Sequence, residues 1–156
     1  MKRTTLLIAL VLLGIFSSCR TTNWDLPNEY VGNWATAKQP VIVRTYTFGD
    51  GFSFIKDSAV ITLNINKNKT ASGTIGSAEF KNAVIIRNKP NTDFSGIAYI
   101  VQCGDIGQIF TNDPLLKKEV EIWLMPVNSG KLEAELRYTE GMAVFPMAAL
   151  KLVRKN

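Results

Sequence analysis

The chain reads as an all-β protein: a single antiparallel up-and-down β-barrel of about eight to ten strands, with a β-sandwich as the alternative. Three observations predict this. Apolar and polar residues alternate strictly in several short runs. Turn-forming residues separate those runs at roughly 8–12-residue spacing. No segment beyond the N-terminal leader carries a helical period.

The elements follow in order. Tyr30-Val31-Gly32-Asn33-Trp34 opens the first strand. Gly49-Asp50-Gly51 then predicts a tight hairpin, because glycine supplies the positive φ that such turns need. Tyr46, Phe48, Phe52 and Phe54 flank it, and regular pairing would put all four rings on one face. Over 59–66, Ile61, Leu63 and Ile65 oppose Thr62, Asn64 and Asn66. Over 97–103, Ile97, Tyr99, Val101 and Cys103 oppose Ala98, Ile100 and Gln102. Over 119–125, Val120, Ile122 and Leu124 oppose Glu119, Glu121 and Trp123, which predicts an exposed indole. Over 132–138, Leu132, Ala134, Leu136 and Tyr138 oppose Glu133, Glu135 and Arg137. Asn66-Lys67-Asn68-Lys69 and Asn128-Ser129-Gly130-Lys131 read as turns, and Asn88-Lys89-Pro90-Asn91 as a longer loop. Gly104 to Lys117 is the longest irregular stretch. Closure favours a barrel, since it removes the open edges that invite aggregation.

The leader sets the address. Met1-Lys2-Arg3 precedes an apolar run from Leu6 to Phe16, eleven residues long. A spanning helix needs about 20. A positive start, a short apolar run and small residues form a secretory signal. Here the small residues are Ser17 and Ser18, followed by Cys19. This ending resembles the lipobox of bacterial lipoproteins, although Phe16 stands where leucine is usual. The resemblance implies cleavage before Cys19, diacylglycerol on its thiol and a further acyl chain such as palmitate. Two or more chains give stable anchoring. The expected organisation is a signal peptide over 1–18, a lipidated anchor and tether over 19–30, and a barrel over 31–156. Arg20 follows Cys19, where aspartate would resemble an inner-membrane retention signal. The expected address is the bacterial cell envelope, on the outer membrane facing the periplasm.

Composition excludes several functions. The chain has 156 residues, 18 Lys+Arg, 13 Asp+Glu and no His. Without histidine, Ser-His-Asp and Cys-His machinery cannot be built, nor can histidine metal sites. Removing Lys2 and Arg3 with the leader lowers the formal charge from +5 to +3. Neither that mild charge nor export suits a nucleic-acid partner. With Cys19 committed to lipid, Cys103 is left alone, and its apolar strand face predicts a buried inert thiol. The pairs Glu119/Glu121 and Glu133/Glu135 have the spacing of a solvated strand face. No enzymatic activity, cofactor or metal is expected.

Gly32-Asn33-Trp34 resembles the Gly-x-Trp signature of the lipocalin and wider calycin families. The resemblance implies that Trp34 plugs the closed end of a lipocalin-like barrel. A basic residue of the last strand, Arg154 or Lys151, would pack over it. It also implies a small apolar or amphipathic ligand inside. The lining would be Ile61, Leu63, Tyr99, Val101, Ile122, Leu124, Leu136 and Tyr138, and Tyr46, Phe48, Phe52 and Phe54 would guard the entrance. The alternative is a barrel filled by its own side chains. Such a barrel would act as a protein-interaction module, an inhibitor or an envelope-assembly accessory.

Overall fold

The structure is a computed structural model that describes residues 24–47, 51–88, 96–106, 109, 119–140 and 143–155. Its strands are β1 (Gly32–Ala35), β2 (Gln39–Thr47), β3 (Gly51–Ala59), β4 (Ile61–Ile65), β5 (Thr70–Ile75), β6 (Ala78–Arg87), β7 (Tyr99–Asp105), β8 (Glu119–Leu124), β9 (Lys131–Glu140) and β10 (Ala143–Lys155). Eight of them close a barrel in the order β1-β10-β9-β8-β7-β6-β5-β4, with β4 returning to β1. Every pairing is antiparallel, so the chain runs up and down around the wall.

β2 and β3 pair only with each other. They prolong the β1–β4 hairpin past the wall, with a one-residue slip at the junction. Ala35 faces Thr62 in the wall, whereas Gln39 faces Ala59 in the ribbon. Thr36 covers the slip. Its backbone N–H donates to the Ile61 carbonyl, and its Oγ1 accepts from the Ile61 N–H at 3.1 Å. The Gln39 amide ties the base of the ribbon to the Ala149 carbonyl of β10 at 3.0 Å.

Alternation decides what lies inside. Ile61, Leu63 and Ile65 of β4, Val120, Ile122 and Leu124 of β8, and Leu132, Leu136 and Tyr138 of β9 are all buried, as their period-two pattern requires. β5 contributes Ile75 at its end and small residues, Ala71 and Gly73, before it, where β6 compensates. Gly73 faces Phe80, and a Cβ on Gly73 would lie 2.0 Å from the Thr62 carbonyl oxygen and 3.0 Å from the Phe80 ring. The glycine is therefore required first by the close approach of the β4 backbone and then by the phenyl group. Beside it the β5–β6 register shifts between Ala71 and Gly73, where β6 carries one extra residue and Asn82 takes φ 54°.

The two predicted turns form. Lys69 adopts φ 65° and donates its N–H to the Asn66 carbonyl. Ser129 (φ 50°) and Gly130 (φ 71°) make a two-residue turn closed by reciprocal bonds between Asn128 and Lys131. Two positive φ values in succession match the twist of a hairpin.

Candidate functional site

The candidate site is the barrel interior with its two rims. All eight residues expected to line it are buried: Ile61, Leu63, Tyr99, Val101, Ile122, Leu124, Leu136 and Tyr138. They belong to one continuous core that also takes in Phe80, Ile85, Leu150 and Leu152.

One rim gathers the starts of β1, β5, β7 and β9 and the ends of β4, β6, β8 and β10. Here residues 24–30, expected to belong to a tether over 19–30, pack onto the barrel, and residues 19–23 lie outside the described residues. Leu26 and Tyr30 are fully buried, and Trp24 stacks on Tyr99 at 5.4 Å. Tyr30 meets the same Tyr99 ring edge-on at 4.9 Å and donates its hydroxyl to the Met125 carbonyl at 3.2 Å. Burial, followed by Tyr99 and Glu29, pushes the Tyr30 phenol up to about 12. Lys67 fixes the plug by donating to the Leu26 carbonyl and to Asn28 Oδ1. A single apolar turn has no period to read, so its burial comes from tertiary packing alone.

Beneath the plug lies Trp34, 1% exposed. Its indole N–H donates to the Tyr30 carbonyl at 2.7 Å. The Arg154 guanidinium sits 4.7 Å from the ring centroid and donates to the Glu29 carbonyl at 2.6 Å. Gly32 has φ 132°, and a Cβ there would approach Arg154 Nη1 to 3.7 Å. Arg154 is therefore the basic partner, while Lys151 stands opposite Glu133 on the outer surface.

The other rim is closed differently. Ile106 and Ile109 are buried, and Ser77 donates both its N–H and its Oγ–H to the Ile109 carbonyl. Tyr138 stacks on Phe145 at 5.1 Å. Apolar groups thus cap both ends. The described hollows are on the outside. One is bordered by Asn33, Trp34, Thr62, Leu63, Gly73 and Lys155, a second by Asp57, Val60 and Ser77, and a third by Met125, Pro126, Lys131 and Glu133.

The expected entrance lies largely outside the described residues. Phe48 does, as do the side chains of Tyr46, Phe52 and Phe54. The backbone register sets Tyr46 opposite Phe52 and Arg44 opposite Phe54. Cys19 also lies outside them.

The outer wall corrects one expectation. Trp123 faces outward, as its strand position requires, yet is only 3% exposed. The Arg137 guanidinium covers its ring at 4.1 Å, and its N–H donates to Glu121 Oε2 at 2.7 Å. Arg137 also donates its Nε–H to Glu135 and pairs with that carboxylate through Nη2. Long side chains on neighbouring strands reach across the sheet, and alternation alone does not register this. Glu121 and Glu135 are thus engaged in holding the wall. Cys103 stands at the register shift between Gln102 and Gly104, and burial followed by Glu121 pushes its thiol up to about 12.

No protein-family model, no curated protein and no solved structure matches the chain.

Proposed function

We propose that this chain is a non-catalytic, lipid-anchored protein-interaction module of the bacterial cell envelope, a filled barrel acting as a scaffold. The observation that carries the reading is the capping of both rims by buried apolar side chains: Leu26 and Tyr30 at one, Ile106 and Ile109 at the other. An eight-stranded barrel can be filled by side chains or can hold one small ligand. Here Tyr99, a residue expected to face a ligand, spends both ring contacts on Trp24 and Tyr30. The anchor follows from the Ser17-Ser18-Cys19 ending. The β2–β3 ribbon, continuous with β1 and β4, is the element that offers a partner a surface beyond the wall.

Two measurements test the reading. Native mass spectrometry of the purified chain, with titration of an environment-sensitive fluorescent fatty acid, should show no co-purifying small molecule and no saturable uptake. Stoichiometric uptake would restore the ligand-carrier reading. A photo-crosslinking amino acid at Lys56 in the ribbon should give discrete higher-mass adducts in intact cells, and the same group at Asn64 on the wall should not.

A further inference from the structure

Among the described residues, the rim that holds the plug is also the more basic end. Lys67 and Lys69 lie on the β4–β5 turn, Arg87 near the end of β6, Lys131 at the start of β9, and Arg154 and Lys155 at the end of β10. Among the described residues the acids of this rim are Asp25 and Glu29, with Glu133 one step down the wall. Around the opposite rim, the described side chains are Lys38, Lys56 and Lys81 against Asp57, Glu79, Asp105 and Glu119. The two ends therefore differ in sign as well as in closure.

Three of the six cations hold the plug itself. Lys67 bonds Leu26 and Asn28, Lys69 lies 4.7 Å over the Trp24 ring, and Arg154 covers Trp34. Arg87, Lys131 and Lys155 are exposed and take no part in those contacts among the described residues. Trp24, which opens the described chain at this rim, is five residues from Cys19. Five residues reach at most about 17 Å even when fully extended.

We infer that this rim docks on the anionic phospholipid surface in which the chain is anchored, with Arg87, Lys131 and Lys155 facing the headgroups. The inference rests on the anchored reading above, because the short reach from Cys19 is what brings the rim to the bilayer. A negative leaflet attracts basic groups that come within a Debye length, about 8–10 Å at physiological salt. The lipid chains supply the hold, and the rim supplies the orientation. The barrel axis then stands away from the membrane, and the β2–β3 ribbon extends from the far end toward a partner.

The test uses full-length chains carrying Cys19→Ala, so that the rim and not the lipid governs binding. Flotation is compared on vesicles of phosphatidylcholine alone and with added phosphatidylglycerol. Each cation at the surface is worth roughly a five-fold factor. The triple change Arg87→Glu, Lys131→Glu and Lys155→Glu should lower the preference for anionic vesicles by about a hundred-fold or more. The triple change Lys38→Glu, Lys56→Glu and Lys81→Glu removes the same charge from the other rim and should leave that preference nearly intact. The leader retained by all these chains contributes equally to each. A glutamine version of the first triple, with an unchanged thermal transition, guards against misfolding. Equal losses for the two triples, or no loss for the first, would overturn the proposal. The anchor is judged separately. If intact-mass spectrometry of the wild-type chain purified from cells shows neither cleavage before Cys19 nor the mass of added acyl chains, the lipid reading fails, whatever the rim comparison gives.

Discussion

The two ends of the barrel solve one problem with different materials. At the N-terminal end an aromatic and aliphatic plug, Trp24, Leu26 and Tyr30, is locked by cations that also lie over indole rings. At the other end, Ile106 and Ile109 cap the core through plain apolar burial and two bonds from Ser77. The first closure draws on side chains far apart in sequence, with Arg154 bonding Glu29 across the whole domain. The second draws on the β5–β6 turn and the stretch after β7. Disturbing the first end should therefore weaken the closure of the whole barrel, and disturbing the second should act locally.

The largest expected effect tests the first half of that contrast. Trp34→Ala removes a buried indole, a hydrogen bond and the seat of Arg154, and should cost roughly 3–5 kcal/mol. Urea unfolding followed by circular dichroism would measure it. A loss below 1 kcal/mol would mean that the plug does not depend on Trp34. Next comes the far rim. Gly76 has φ 60°, and a Cβ there would lie 2.6 Å from the Ile109 carbonyl oxygen. Gly76→Ala should cost about 1–3 kcal/mol through backbone strain and crowding. Hydrogen exchange should locate the loss around Ser77 and Ile109 and leave Trp34 protected. Smaller still is Arg154→Gln, expected at about 1–2 kcal/mol for the lost stacking and the weakened bond to Glu29. It should lower protection at Tyr30 and Trp34 without affecting Ile109.

Alkaline titration sharpens the comparison further, because one perturbed group lies toward each end. The Cys103 thiol and the Tyr30 phenol are both pushed up to about 12, from ordinary values of 9.0 and 10.0. The unfolded chain loses each proton first, so it binds fewer protons than the folded chain and stability falls as pH rises. The contribution is complete below about pH 9 and is lost as pH climbs through about 12. The urea midpoint should be flat near neutrality and then decline. Cys103→Ala should flatten the onset and Tyr30→Phe the later part. A decline of equal steepness in the double variant would trace it to other groups.

Much of the wall was legible in the sequence because burial of one strand face writes a period of two. β4, β8 and β9 show it, and so does Tyr99-Ile100-Val101 at the start of β7. Gly32, Trp34 and Arg154 were singled out by a family resemblance, and the Arg154 guanidinium lies 4.7 Å over the Trp34 ring. Three features were not legible, each for a physical reason. The interior face of β5 runs Ala71, Gly73, Ile75, and its first two positions are so small that they leave the apolar signal there to Phe80 on the neighbouring strand. Trp123 is buried by Arg137 and Glu121, which reach over it from positions that local alternation assigns to solvent. The segment from Trp24 to Tyr30 is polar at Asp25, Asn28 and Glu29. Only the barrel mouth beneath it determines that Leu26 points inward. The eight positions were legible as a buried face, but how much of the interior they occupy was not, since alternation gives direction and not volume.

The seam where β1 meets β10 has a mechanical consequence. It comprises only three facing pairs, Asn33 with Lys155, Trp34 with Arg154 and Ala35 with Val153, whereas β9 and β10 face each other along most of their length. Both arms of the ribbon run directly into β1 and β4, so a load applied at the ribbon is delivered to the strand that carries the shortest joint in the wall. Tension between the ribbon and the C-terminus should part β1 from β10 before any other pair separates, opening the cylinder into a curved sheet hinged at β4. In single-molecule pulling this would register as a small early extension ahead of the main rupture. The molecule would then act as a clasp whose yield point is set by three residue pairs and by the hold of Arg154 on Trp34.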